Sequence, residues 1–141
     1  MAPQQYSWTC SICSYDWTLR AIGVPSDRMT ASAEIGYPHC VNETYGLMSA
    51  DCLINAYHDV HGFNARQAWV TFEQAYSLAR HYTGCINPIG MYHFMGIRGV
   101  DNDRIWVANS APGYKGVYDI LDRERFNALG PVQVIYLESR I

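Results

Sequence analysis

Charged side chains are scarce in this chain of 141 residues. Asp, Glu, Lys and Arg together make up 16% of it, and the formal net charge is −3. A protein that follows the phosphates of a nucleic acid needs a basic face, which this composition does not supply. We therefore expect no nucleic-acid partner. Eleven tyrosines and four tryptophans replace much of the usual charge, and such a surface favours contacts with another polymer or protein.

Long apolar runs are also missing. No window approaches the roughly 18 apolar residues of a membrane-spanning helix, so we expect no membrane insertion. The opening residues, Met-Ala-Pro-Gln-Gln, include neither a basic region nor an apolar run, and they predict no signal peptide. We therefore expect a cytoplasmic location when the protein is made. Without a repeat, linker or low-complexity tract, residues 1–141 are predicted to form a single domain.

The cysteines are five in number, at positions 10, 13, 40, 52 and 85. An odd number excludes a fully paired intramolecular set, and the simpler interpretation is free thiols in a reducing compartment. Cys52 and Cys85 lie in apolar segments and are expected to be small core residues. Cys10 and Cys13 form a Cys-x-x-Cys pair, but it lacks the preceding strand of a redox site and the second ligand pair of a zinc site. We expect no metal and no cofactor.

Hydrophobic spacing and turn residues predict helices in the first half of the chain and mostly strands in the second. The predicted helices cover residues 11–22, 27–36, 49–60, 122–129 and a segment capped by Thr71, and the predicted strands cover 66–70, 85–89, 92–99, 104–109 and 132–137. This order indicates an α+β layout. We expect the N-terminal helix to pack on a mostly antiparallel β-sheet.

An Asp-Asn-Asp turn joins the strands predicted at 92–99 and 104–109. Antiparallel pairing brings the beginning of the first strand, with His93, to the end of the second, with Asn109. Taken alone, His93 is most often a core or edge residue and Asn109 a turn former. Together they are also half of a Cys-His-Asn catalytic set, in which the asparagine orients the imidazole.

Cys10 is the candidate nucleophile, because helical periodicity begins directly after it. The N-terminus of a helix and a neighbouring imidazole both favour the thiolate, and together they predict an ion pair. A glutamine upstream can donate to the oxyanion together with the backbone N–H of the cysteine. Gln4, six residues before Cys10, is preferred for this role, and Gln5 remains open. The chain order Gln, Cys, His, Asn is the order used by papain-like peptidases.

At these segments the chain resembles the papain-like cysteine peptidases of the bacteriocin-processing, double-glycine leader type, in the branch found in phage and prophage proteins. The matching segments cover residues 8–23, 41–48, 93–100, 106–118 and 126–131. Typical members have Gly-Pro or Gly-Xaa-Ala after the nucleophile, where this chain has Ser-Ile-Cys. They also have Asp-Pro or Asn-Pro after the second strand, where this chain has Asn-Ser.

The resemblance implies a papain-like α+β fold in which Cys10 is the nucleophile, His93 the base and Asn109 the orienting group. It implies a cysteine peptidase or amidase that cleaves a peptide bond. It suggests a peptide of peptidoglycan, a phage structural protein or a leader peptide as substrate, and the virion as a second location. The alternative is a non-catalytic module with the same fold that binds or assembles within a phage particle.

Overall fold

The computed structural model describes residues 10–44, 46–88, 93–109 and 118–140. Its helices are α1 Cys10–Ala21, α2 Arg28–Ile35, α3 Ala50–His61, α4 Phe72–His81 and α5 Arg123–Ala128. Its strands are β1 Val41–Asn42, β2 Gly46–Leu47, β3 Phe63–Val70, β4 Gly84–Pro88, β5 Met95–Asp101, β6 Arg104–Ala108, β7 Tyr118–Asp122 and β8 Val132–Arg140. The helices within the described ranges are too short or too polar to span a bilayer.

Six of the strands form one antiparallel sheet in the order β3-β8-β4-β5-β6-β7, and β1 pairs with β2 in a separate two-stranded unit. The predicted hairpin is β5 and β6, in which Asp101 pairs with Arg104. Asn102 and Asp103 between them have φ values of 47° and 59°. Two central residues with positive φ make the kind of tight turn that matches the twist of paired strands, and Asn and Asp tolerate this conformation best after Gly.

Side-chain caps begin three of the helices that the sequence predicts. Asp27 accepts from the Thr30 N–H at the start of α2, and Ser49 accepts from the Asp51 N–H at the start of α3. Thr71 forms a capping box at the start of α4. Because each cap satisfies backbone donors that the helix itself leaves open, these residues fix where the helices begin.

The two faces of the sheet bury two separate hydrophobic clusters. Along β4 and β8 the side chains alternate between them, since Cys85 and Ile135 belong to one cluster and Ile86 and Val134 to the other. Residues of α1, α2 and α3 complete the first cluster, and residues of α4 and α5 complete the second. The helix that begins at Cys10 therefore packs on a mostly antiparallel sheet, as predicted.

Two close approaches hold α1 on the sheet. The Trp17 ring lies so near Gly96 of β5 that a Cβ added at this glycine would overlap it. Further along the helix, Thr18 Oγ1 lies 3.4 Å from the Gly84 carbonyl oxygen and 3.6 Å from the Cys85 sulfur. These contacts fix both the position of α1 along β4 and β5 and the direction in which its N-terminus points.

The prediction that all five cysteines are free is wrong. Cys40, in the loop after α2, forms a disulfide with Cys52 in α3, across a sequence separation of 12. Cys10, Cys13 and Cys85 form no disulfide and are buried, so no bridge joins the Cys-x-x-Cys pair, and Cys85 is the core residue that its apolar segment predicts. Hydrophobic spacing placed Cys52 inward correctly, but it contains no information about the thiol that faces it.

Strand boundaries differ from the predicted ones more than helix boundaries do. β3 begins at Phe63, three residues before the predicted start, because all eight of its residues pair with β8. β7 was not predicted, and it pairs with β6 before Asp122 caps α5. Both features come from pairing with a strand outside the segment itself, and the local sequence pattern of the segment does not record such a partner.

Candidate active site

Cys10 is the first residue of α1, and only 7% of its surface is exposed. Its Sγ accepts a hydrogen bond from the backbone N–H of Phe94 at 3.4 Å. Burial raises the pKa of the Cys10 thiol, and the backbone N–H groups of Phe94, Ser11 and Cys10 itself act in the opposite direction. Those donors belong to the helix N-terminus and to the residue after His93, so the groups that favour a thiolate are already in place.

His93 and Asn109 lie just before β5 and just after β6. At the end of the hairpin away from the turn, the last pair is Gly96 with Ala108. The His93 and Asn109 side chains therefore come from neighbouring strand ends. His93 Nε2 lies 2.6 Å from Asn109 Oδ1. Since an amide oxygen only accepts, Nε2 carries the proton and Nδ1 is the basic nitrogen of the ring. The geometry that the sequence predicts for this pair is present.

The pKa of His93 is lowered from its ordinary value, because burial disfavours the imidazolium and the hydrogen bond that His93 donates to Asn109 only partly offsets this. The pKa of Cys10 moves the other way. Both directions favour the neutral form of each group, whereas the sequence predicts an ion pair. The difference arises from desolvation, which acts on both groups and is not visible in a sequence pattern.

Sequence reasoning missed Phe94, which links the two halves of the site. Its N–H contacts the Cys10 sulfur, and its own position in the chain directly follows His93. The backbone of the residue next to His93 therefore contacts the candidate nucleophile. Nothing in the residue type of Phe94 signals this role, because a backbone N–H is common to every residue except proline.

The predicted oxyanion glutamines, Gln4 and Gln5, lie outside the described residues. The backbone N–H of Cys10 is within them, and it belongs to the first turn of α1, whose N–H groups have no partner inside the helix. Such a group can donate to an oxyanion formed on a carbonyl attacked by the Cys10 sulfur. Within the described ranges, no three His, Cys, Asp or Glu side chains are grouped closely enough to hold a metal ion.

This architecture is the α+β fold of the papain-like peptidases of the double-glycine, or C39, type, which confirms the predicted fold class. A double-glycine-motif protease from an AMS/PCAT transporter, solved with its leader peptide, superposes with a TM-score of 0.73 at 14% identity over 98% of this chain and 91% of its own. The peptidase domain of Streptococcus ComA, a bifunctional ABC transporter in quorum sensing, gives a TM-score of 0.70 at 15% identity over 97% of each chain.

A putative C39-like peptidase from Bacillus anthracis is a third similar structure. It superposes with a TM-score of 0.62 at 12% identity over 100% of this chain and 96% of its own. No family model and no curated protein matches the sequence. At these identities the likeness establishes the fold, and the chemistry has to be argued from the residues of this chain.

Proposed function

We propose that residues 1–141 form a single cysteine peptidase domain in which Cys10 is the nucleophile, His93 the general base and Asn109 the orienting group. The observation that carries the proposal is the hydrogen bond between His93 Nε2 and Asn109 Oδ1 at 2.6 Å. It leaves Nδ1 as the proton acceptor of a histidine whose neighbour, Phe94, donates to the Cys10 sulfur. A nucleophile, a base and an orienting group in this relation are the parts of a Cys-His-Asn site.

In the proposed reaction His93 Nδ1 takes the proton of the Cys10 thiol as the sulfur attacks the carbonyl carbon of the scissile bond. The oxyanion is stabilised by the Cys10 backbone N–H and by Gln4 or Gln5. His93 then protonates the leaving amine, and a thioester remains on Cys10. Water attacks this thioester with His93 again as base, and the acid product leaves with the thiol restored.

We propose a peptide as the substrate. Because a protease of similar fold is named for a double-glycine motif, a peptide with small residues on the acyl side of the scissile bond is the first to test. The AMS/PCAT protease of similar fold was solved with a leader peptide. Peptidoglycan peptides, phage proteins and a virion location remain predictions from the sequence resemblance.

Cleavage of a mixed peptide library, read by mass spectrometry, tests the proposal. We expect hydrolysis by the native chain and a loss on the order of 10³-fold or more in Cys10→Ser and His93→Ala. Cys13→Ala is the matched control, because Cys13 also lies in α1 and is 1% exposed, and it should retain activity. Melting temperatures within a few degrees of native would show that both catalytic variants fold.

Two results would contradict the proposal. One is cleavage that survives in Cys10→Ser. The other is a native chain that cleaves no peptide yet binds one tightly, which would favour the non-catalytic module.

A further inference from the structure

Three buried polar atoms beside the candidate nucleophile have no hydrogen-bond partner. They are Ser11 Oγ, Ser14 Oγ and Asn87 Oδ1. The residues that carry them expose 1%, 0% and 8% of their surface. Most buried polar groups in proteins are paired, and an unpaired one is costly. Three of them in one interface therefore call for a specific explanation.

The positions of these residues in α1 and β4 place them in the same interface. Two contacts tether α1 to the sheet. The first tether is the Thr18 hydroxyl, which lies against Gly84 and Cys85 at the start of β4. Ser14 and Ser11 are four and seven residues before Thr18, one and two helical turns away on the same face. Asn87 is two residues after Cys85, so its side chain emerges on the same side of the sheet.

The second tether is at the other end of α1, where the Phe94 N–H donates to Cys10 Sγ. Cys85 pairs with Gly96 and Ile86 with Met95, so the next position of β4, Asn87, lies beside Phe94. Asn87 and the two serines thus lie between the tethers. Ser14 is one turn after Cys10 on the helix, so this group of side chains follows Cys10 along the interface between α1 and β4.

The chemistry of the three atoms defines what would satisfy them. Because each atom lacks a partner, no two of them form a hydrogen bond with each other. The Asn87 oxygen only accepts, and each serine hydroxyl both donates and accepts. A molecule that bridges them must donate to Asn87 and exchange hydrogen bonds with two hydroxyls. Water has two donors and two acceptors, and a buried water usually has about three polar partners.

We propose that Ser11, Ser14 and Asn87 hold an internal water beneath Cys10, and that Asn87 is a positioning residue for this nucleophile. The water links the first turn of α1 to β4, next to the Phe94 N–H that contacts the sulfur. It keeps the sulfur on that donor, which favours the thiolate. The inference rests on the proposed function, since it concerns how the same nucleophile is held.

The test combines a search for the water with a measurement of the thiol. In the native protein we expect a long-lived water, seen as NMR cross-peaks from water to the backbone amides of α1 or as density between Ser14 and Asn87. Asn87→Leu keeps the number and branching of the side-chain heavy atoms and cannot accept a hydrogen bond. It should lose the water and slow iodoacetamide alkylation of Cys10 at pH 7 by about tenfold, which corresponds to a rise of one unit in the pKa of the thiol.

Two further variants separate positioning from general damage to the core. Asn87→Ser places a hydroxyl, which can also accept a hydrogen bond, at the site. This variant should alkylate within about threefold of the native rate, a margin of roughly half a pKa unit. Gln133→Leu is the matched control, because Gln133 pairs with Asn87 from the next strand, is 7% exposed and donates to Gln67 at 2.7 Å. It should leave the pH profile of Cys10 alkylation unchanged.

The inference is overturned if the native protein has no water at this site, or if Asn87→Leu leaves both the water and the alkylation profile as they were. If Asn87→Leu fails to fold, Ser14→Ala replaces it in the alkylation assay. The search for the water in the native protein then still tests the inference without any variant. Neither measurement needs a substrate. A chain that cleaves peptides but alkylates equally in all variants retains the proposed function and loses this inference.

Discussion

The two candidate catalytic groups, Cys10 and His93, are both partly or fully desolvated, and their pKa values move in opposite directions. Burial raises the pKa of the thiol and lowers the pKa of the imidazole, which favours the neutral form of both groups. The proton is then transferred when the substrate arrives rather than beforehand. A base of this kind works only in its neutral form, and the rate should therefore rise with pH through the pKa of His93, below its ordinary value of about 6.5.

Asn109→Ala should shift this rise in rate, the acidic limb of the pH profile, to lower pH. The hydrogen bond that His93 donates to Asn109 raises the pKa of His93 against the larger effect of burial, so its removal lowers the pKa further. We also expect the plateau of kcat/KM to fall by about 10- to 100-fold, less than on loss of Cys10, because the role proposed for Asn109 is to orient the base and not to form bonds.

Asn109→Asp is the control, for which we expect a shift in the pKa of His93 in the opposite direction. A carboxylate beside the imidazole favours its charged form, which raises the pKa and should move the acidic limb to higher pH. Profiles of kcat/KM between pH 4 and pH 8 compare the three proteins. Limbs that coincide in all three would mean that Asn109 does not act on the catalytic base.

Among the secondary-structure elements, the contact between α1 and the sheet determines where the nucleophile lies. Trp17 packs against Gly96 of β5, and β5 begins two residues after His93. Any shift of the helix at this contact therefore changes the position of Cys10 relative to the histidine. The glycine is required for the close approach of a ring, and not for an unusual backbone angle.

Gly96→Ala should both destabilise the fold and impair the site. The new methyl group overlaps the Trp17 ring, and overpacking of this kind typically costs about 1–3 kcal/mol. Urea unfolding measures the loss, and alkylation of Cys10 measures the effect on the site. In the double variant Gly96→Ala with Trp17→Leu, the smaller side chain makes room, so the two effects should not add. Strict additivity would show that the ring and the glycine are independent.

Helices were predictable here because their signals are local. Asp27, Ser49 and Thr71 cap the helices that the sequence predicts, and each acts on backbone groups two or three residues away. The β5–β6 hairpin was predictable for the same reason, and with it the pairing of His93 and Asn109. β7 and the contact from Phe94 to Cys10 depend on partners outside their own segments, and composition and spacing do not indicate them.

For the molecule as a whole, the Cys40–Cys52 disulfide adds a covalent constraint to the part of the fold built by α2 and α3. The bond closes a loop with a sequence separation of 12, and a disulfide across a loop of this size typically adds about 3 kcal/mol. Neither cysteine belongs to the candidate site. The constraint should therefore support the fold without taking part in the chemistry.

Thiol titration in denaturant should give three free thiols for protein purified without reductant and five after reduction. Reduction should also lower the stability by about 3 kcal/mol while leaving alkylation of Cys10 in the folded protein unchanged. The double variant Cys40→Ala with Cys52→Ala is the matched control, since its stability should not respond to reductant. Five free thiols before reduction would contradict the observed bridge.

The central claim is that Cys10 is a nucleophile activated by His93, and a peptide electrophile tests it most directly. A chloromethyl ketone on a short peptide ending in Gly-Gly, followed by intact-mass and peptide-mapping analysis, reports which thiol reacts and how fast. We predict a single adduct on Cys10 in the native protein, formed at least about tenfold more slowly in His93→Ala, as expected for loss of a general base. Adducts on Cys13 or Cys85, or equal rates in the two proteins, would contradict the claim.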